Sequence, residues 1–369
     1  MFSVSAPHQE EYARLRELVD QTCIELFEQH WSSKEKLGLY SILLKDVKNF
    51  VVRPGKRLRP VLFLFACKLF DKNISPDHPS LLRVAAALEM LHAFILIHDD
   101  IIDQSDLRRG QPSLHRQTEE RLIPLGDRRQ GGLSLALVMG DVLFALSQEV
   151  LLDSKLDSEI LLQLSRQALQ CMMETGIGEA ADVVYGTRDI TKVNLEEIER
   201  MYALKTTRYT FQAPFKLAAI VARAPQESLN CVLRLLEPLG LAFQIQNDLK
   251  EFLDYDTSYG LAPSDIVEGK KTVLMRLAYE KLNDTDRGLL QLCLSTRPPT
   301  EATVTRLRQL VMKSGAVEEL SQRVQNLFQS ALNGISECGL SQDQSESLSQ
   351  LLGSIQHLVC PSLSQDNNL

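Results

Sequence analysis

VAAALEMLHAFILIHDDIIDQSDLRRGQPSLH, residues Val84 to His115, decides the fold class and shows where to look for chemistry. Its first part, Val84 to Ile97, is almost wholly apolar and predicts a helix buried on most of its surface. That helix closes on Asp99, Asp100 and Asp103. On a helix Asp99 and Asp103 share a face, and Asp100 lies beside them. Carboxylates crowded at the end of a buried helix repel one another and cost stability unless a cation lies between them. On a solvated helix the same DDxxD pattern would mean little. After an apolar run it points to Mg2+, a hard ion that takes one or two carboxylates and completes its shell with water and phosphate oxygens. Arg108 and Arg109 follow at once, so a phosphorylated substrate is expected.

Outward from this stretch the chain is helical almost everywhere. Apolar residues recur with helical spacing over Lys34 to Asn49, Arg59 to Phe70, Pro79 to Ile102, Leu133 to Leu152, Ser158 to Tyr185, Leu195 to Val221, Gln226 to Leu253 and Glu301 to Ser314, among others. Alternating β-branched runs bounded by tight turns do not recur. The expected fold is therefore all-α. Breakers place loops at Arg116 to Gly132 and Asp254 to Gly269. No linker divides the chain, so one helical domain is expected, with residues 1–294 as its main body. Residues 295–369 add a peripheral helical layer, whose last residues, SLSQDNNL, should fray.

Bulk properties narrow the function. A net charge of −8 over 369 residues argues against binding to nucleic acid, which asks for a basic face. The seven cysteines are scattered, odd in number and without a CxxC pair, as in a cytoplasmic protein with reduced thiols. The first residues lack the basic-then-apolar pattern of a secretory signal. Charges break the longest apolar runs short of the ~18 residues that a transmembrane span needs.

Further basic and polar clusters accompany the aspartates. RPGKRLRP, Arg53 to Pro60, sets Lys56 and Arg59 where a helix begins, a favourable place for a phosphate. Lys205 and Thr206 follow Tyr202 on a helix that continues through Pro214. In GLAFQIQNDLKEFLD, Gly240 to Asp254, the residues Gln244, Asn247, Asp248 and Glu251 form one polar stripe on an otherwise apolar helix. SDIVEGKKT then brings Lys270 and Lys271 in a segment able to close over an anion.

Taken in order, GKRLRP, HDDIID with DLRRG, GDVLFA (Gly140 to Ala145), the KT pair, FQ with an acidic stripe, and DIVEGKKT resemble the polyprenyl synthetase family, the trans-isoprenyl diphosphate synthases, over about residues 40 to 285. The pattern is most similar to geranylgeranyl diphosphate synthases. That resemblance implies a helical bundle around a central cavity, paired as a homodimer, in which two acidic helices hold three Mg2+ ions on an allylic diphosphate. Asp99, Asp100, Asp103, Lys205 and Asp248 then match catalytic positions, with Asp99, Asp103, Asp248, Asn247 and Glu251 as the metal set. Arg108, Lys205, Lys270, Thr206 and Gln244 match the allylic diphosphate site. Lys56, Arg59, His92 and Arg109 match the clamp for isopentenyl diphosphate. Phe94, five residues before Asp99, is placed to limit product length and implies a C20 product.

Departures are confined to a few positions. The second acidic motif has Asn247 and Glu251 where the family has aspartates, and Glu179 stands where it often has Gln. Asn247 and Glu251 also partly echo class I terpene cyclases, so a cyclase-like reaction or another acceptor is a second possibility, and a non-catalytic partner subunit a third. The retained clamp favours elongation over cyclisation, and three costly carboxylates argue against a silent subunit. Losing a charge at Asn247 should weaken one metal site. Asn247→Asp is expected to lower the Mg2+ concentration for half-maximal activity, and a titration showing no change would remove that expectation.

Overall fold

The computed structural model describes residues 6–31, 38–122, 127–254 and 264–359. It consists of α1 (Ala6–Trp31), α2 (Leu39–Val52), α3 (Leu58–Phe70), α4 (Pro79–Ile102), a two-residue strand pair, β1 (Leu107–Arg108) with β2 (Gln111–Pro112), then α5 (Leu114–Glu119), α6 (Arg128–Leu152), α7 (Ser158–Thr187), α8 (Leu195–Tyr202), α9 (Ala213–Ala222), α10 (Gln226–Leu253), α11 (Ser264–Glu268), α12 (Val273–Lys281), α13 (Asp284–Ser295), α14 (Glu301–Ser314), α15 (Ala316–Asn333) and α16 (Gln342–Val359). The backbone gathers into two compact units, one of Gln9–Gln167 with Pro214–Ala224, the other of Ala168–Ala213 with the chain from Pro225 onward.

In the first unit α4 is the central helix, packed against α3, α6 and α5. Proline at its first position and an N-cap bond from Ser80 N–H to the His78 ring start it, and Val84, Ala85, Ala86, Met90 and Ile97 are buried along it. Small residues allow its neighbours close: a Cβ on Gly140 of α6 would lie 2.6 Å from His98 Nε2. Beyond Asp103, β1 and β2 pair antiparallel, with Arg108 opposite Gln111. Their two-residue turn holds Arg109 at φ 56° and Gly110 at φ 73°. Both positions of such a turn are left-handed, which glycine adopts freely and Arg109 only with strain.

In the second unit α10 packs against α15, α12 and the segment between α8 and α9. α8 begins with a capping box of Asn194 and Glu197. Ala203–Gln212 then winds as a π-helix and ends with Ala213 N–H bonded to Arg208 O. Pro214 follows directly. It has no N–H for the ordinary bond back one turn, and the wider winding before it accommodates that loss. α14 and α15 pack on α12, and α16 on α15, so the C-terminal helices belong to this unit. Cys231 and Cys338 form a disulfide between α10 and the turn after α15. That corrects the expectation of reduced thiols throughout; Cys23, Cys67 and Cys293 are free and buried.

Other local expectations are corrected as well. The loop expected over Arg116 to Gly132 contains the end of α5 and the start of α6, which Asp127 caps through Gln130 N–H. α11 occupies part of the loop expected over Asp254 to Gly269. α2 begins at Leu39, and Lys34 and the tail SLSQDNNL lie outside the described residues. Contrary to the reading of apolar runs, α4 and α6 are each long and apolar enough to cross a membrane. In α4, however, 72% of the relevant window is buried in protein, against 44% in α6.

Gly178 is where α7 meets the π-helix. A Cβ there would lie 2.5 Å from Lys205 N and 2.8 Å from its Cα, whereas one at Gly176 meets nothing within 4 Å. Gly178→Ala should therefore destabilise by about 1–3 kcal/mol through the forced shift, and Gly176→Ala should stabilise by roughly 0.5–1 kcal/mol through helix propensity. Thermal unfolding of the pair checks this, and equal melting temperatures would contradict it.

Candidate active site

Three arginines organise the first unit's site. Arg57, left-handed at φ 49°, caps α3 with its side chain buried. It donates to Asp20 Oδ1 at 2.5 Å, Glu89 Oε1 at 2.6 Å and Arg53 O at 2.7 Å. It is therefore structural, and it leaves Lys56 exposed and Arg59 half-buried on either side. Arg108, on β1, turns back on the aspartates: Nε donates to Asp100 Oδ1 at 2.7 Å and Nη2 to Asp99 Oδ2 at 2.9 Å. Arg109, at the turn, reaches the opposite way, donating to Arg53 O at 3.0 Å and lying 3.7 Å from Glu89. A Cβ on Gly55 would fall 2.7 Å from the Arg109 guanidinium, so glycine makes room for it.

Burial dominates the electrostatics here. Asp100 is fully buried and its carboxyl is pushed up to about 6, chiefly by desolvation; Asp99 and Asp103 push the same way and Arg108 opposes. Its Oδ2 has no hydrogen-bond partner. His92 is held well below the ordinary histidine range, by desolvation first and then by Arg59, Arg109, Arg108 and Arg57, so its ring is neutral. Phe94 packs 4.5 Å from the His98 ring and 5.2 Å from that of Phe144. Gly140 and Phe144, both in GDVLFA, thus face α4.

The second unit carries the other acidic set. Lys205 Nζ lies 2.7 Å from both Glu179 and Asp182. Thr206 donates to Gln244 Oε1 at 2.7 Å, and Gln244 donates on to Asp248 Oδ1 at 2.8 Å. Asp248 Oδ2 accepts from the buried Tyr202 hydroxyl, which itself accepts from Val273 N at 3.1 Å. Each Asp248 oxygen still keeps a second lone pair for a cation. Asn247 is exposed, and Glu251 accepts from Asp265 N at 3.1 Å. Burial first, and then Asp182 and Glu251, raise the Asp248 carboxyl to about 7. Asp265 is also pushed well up, by burial and then by Glu251 and Asp248. Among the described residues no three acidic, histidine or cysteine side chains already converge as a ligand shell. Yet carboxylates that raise one another, and the orphaned Asp100 oxygen, suit a divalent cation.

The polyprenyl synthetase family model matches residues 41–311. The chain belongs to that family. It is a trans-isoprenyl diphosphate synthase, a prenyltransferase that joins isopentenyl diphosphate to an allylic diphosphate. A short chain isoprenyl diphosphate synthase of Methanothermobacter thermautotrophicus is 30% identical, over 67% of this chain and 70% of that protein. A geranylgeranyl diphosphate synthase of Methanosarcina mazei is 30% identical over 65% and 68%. Geranylgeranyl pyrophosphate synthase of Corynebacterium glutamicum, solved with isoprenyl diphosphate and magnesium, superposes with a TM-score of 0.84 at 25% identity, covering 93% of this chain and 98% of that one.

For this synthase, sequence reasoning missed Asp182 and Asp265. Asp182 lies three residues after Glu179, on the same face of α7, and that spacing is the signal that would have found it. Lys270 pairs with Glu268 at 2.9 Å. Lys271 is not available to an anion as expected: it is buried, donating to Gly186 O at 3.0 Å and to Gly269 O. Desolvation, then Arg297, lowers its ammonium to about 8 from 10.5. Folding therefore disfavours the charged form, fully below pH 8, and that penalty fades as pH rises from about 8 towards 10.5. Lys271→Met should accordingly stand best against the native chain at about pH 7 and lose ground by about pH 10. Melting temperatures of the two proteins across that range decide it; a constant difference would refute the assignment.

Proposed function

We propose that the product is geranylgeranyl diphosphate, and that the protein binds three Mg2+ ions. Asp99 and Asp103 in one set, and Asn247, Asp248 and Glu251 in the other, are the metal residues. Asp100 and Lys205 complete the catalytic set. Mg2+ supplies charge neutralisation on the diphosphate as its C–O bond breaks. The chain's own cations add to that neutralisation, with Arg108, Lys205 and Lys270 holding the allylic diphosphate and Thr206 and Gln244 beside it. Lys56, Arg59 and Arg109 hold isopentenyl diphosphate by charge alone, and neutral His92 adds a hydrogen bond. Apolar walls keep water from the allylic cation.

The observation that supports a C20 product is Phe94. Its ring rests on Phe144 and His98, so it is a braced obstacle five residues before Asp99. We propose a homodimer on the strength of α7, where Leu169, Met173, Ile177 and Val184 form an exposed apolar stripe, and of α6, where Leu137 and Val138 are exposed. A cytoplasmic location is proposed on the buried thiols of Cys23, Cys67 and Cys293, although the Cys231–Cys338 disulfide is unusual there. Residues 1–294 are assigned the chemistry, with 295–369 as a buttress supported by the packing of α14 and α15 on α12 and of α15 on α10.

Purified protein with Mg2+, labelled isopentenyl diphosphate and C5, C10 or C15 allylic diphosphates should give a C20 alcohol after dephosphorylation. Phe94→Ala should give longer chains. Unchanged length would remove Phe94 as the floor. Hydrocarbon from the allylic substrate alone would favour a cyclase, and absence of turnover a partner subunit.

A further inference from the structure

Arg53 opens the basic stretch RPGKRLRP, where the expected role falls to Lys56 and Arg59. Its side chain is buried, 6% exposed. Nη2 donates to Gln117 Oε1 at 3.0 Å, and the guanidinium sits 4.8 Å from the centre of the Phe50 ring. Nε and Nη1 have no hydrogen-bond partner. No carboxylate among the described residues forms an ion pair with it; Asp100 acts on it only at longer range and is itself bonded to Arg108. Stacking on one aromatic ring recovers only part of the cost of burying a guanidinium. The two donors left unmet keep most of the desolvation penalty in place. Packing therefore does not account for Arg53.

Its neighbours point to a ligand. Arg53, Arg108 and Arg109 line one small cleft, whose remaining wall is Phe50, Ala93 and Leu96. The cleft is too narrow for a water molecule, so water does not satisfy Arg53 either, and an oxyanion enters only if the walls of the cleft part. The Arg109 guanidinium repels that of Arg53, and an anion with several acceptor oxygens is the group that relieves this.

We propose that Arg53 is a further anion-binding residue, which with Arg109 grips the diphosphate of the non-allylic substrate through its two unmet donors. This rests on the proposed role of Lys56, Arg59, His92 and Arg109 as the metal-free clamp. Arg53 is placed on the inner side of that clamp because Arg109 donates to its carbonyl oxygen and shares its cleft.

Two measurements test it. In EDTA, inorganic pyrophosphate should raise the melting temperature of the native chain, and Arg53→Leu should lose most of that rise while matching or exceeding the native melting temperature without pyrophosphate. In the assay, Arg53→Leu should raise KM for isopentenyl diphosphate about 10–100-fold, the effect of one or two lost charge-assisted bonds. Its kcat and the KM for the allylic diphosphate should stay within about twofold. Arg53→Lys, which keeps charge and size, should be intermediate, and it carries the test if Arg53→Leu does not fold. Equal protection by pyrophosphate with unchanged KM, or a KM effect confined to the allylic substrate, overturns the proposal. Pyrophosphate protection needs no prenyl transfer. A chain that shows Arg53-dependent protection but forms no product therefore leaves Arg53 assigned and overturns the proposed reaction instead.

Discussion

The buried ion pair of Arg57 and Glu89 is the interaction on which the first unit's site depends. One guanidinium, in a left-handed backbone conformation, joins α1 through Asp20, α4 through Glu89 and the preceding loop through the Arg53 carbonyl. Removing one partner of such a pair leaves an uncompensated charge and costs about 3–5 kcal/mol. What it fixes is direction. With Arg57 turned inward, Lys56 on one side is left to solvent and Arg59 on the other lies partly open. The same compensation of charge recurs throughout: Arg108 on Asp99 and Asp100, Lys205 on Glu179 and Asp182, Lys270 on Glu268. In these pairs a cation of the chain offsets carboxylates that would otherwise repel one another.

Several sequence landmarks turn out to be spacing constraints. Gly140 lets α6 approach His98, Gly178 lets α7 approach the backbone of Lys205, and a Cβ on Gly240 would meet Thr207 Cγ2 at 2.4 Å. Gly55 leaves room for the Arg109 guanidinium. The glycines around the site are thus there for what must come close to them, more than for turns.

Long helices with an apolar face were readable because burial imposes their period: Pro79 to Ile102, Gln226 to Leu253 and Glu301 to Ser314 form as expected to the residue. The aspartate triad and the stripe from Gln244 to Glu251 were readable for the related reason that charge on a buried helix stands out. Features set by tertiary context were not. The π-helix around Lys205 could be suspected only from Pro214, the strand pair at Leu107 to Pro112 is too short to show a period, and nothing in the spacing of the cysteines pairs Cys231 with Cys338. Arg57 was hidden among four basic residues of one loop, whose burial differs although their residue types do not. Asp265 escaped notice because it lies in a short helix that reads as loop.

The clamp on Lys205 has a consequence for where charge is held in the second unit. Asn247 is a neutral, exposed residue of α10, whereas Glu179 and Asp182 on α7 each bring a carboxylate to 2.7 Å from the Lys205 ammonium. The ammonium thus meets its counter-charge on α7, and a chain with both carboxylates replaced by amides would hold a part-buried cation without a match.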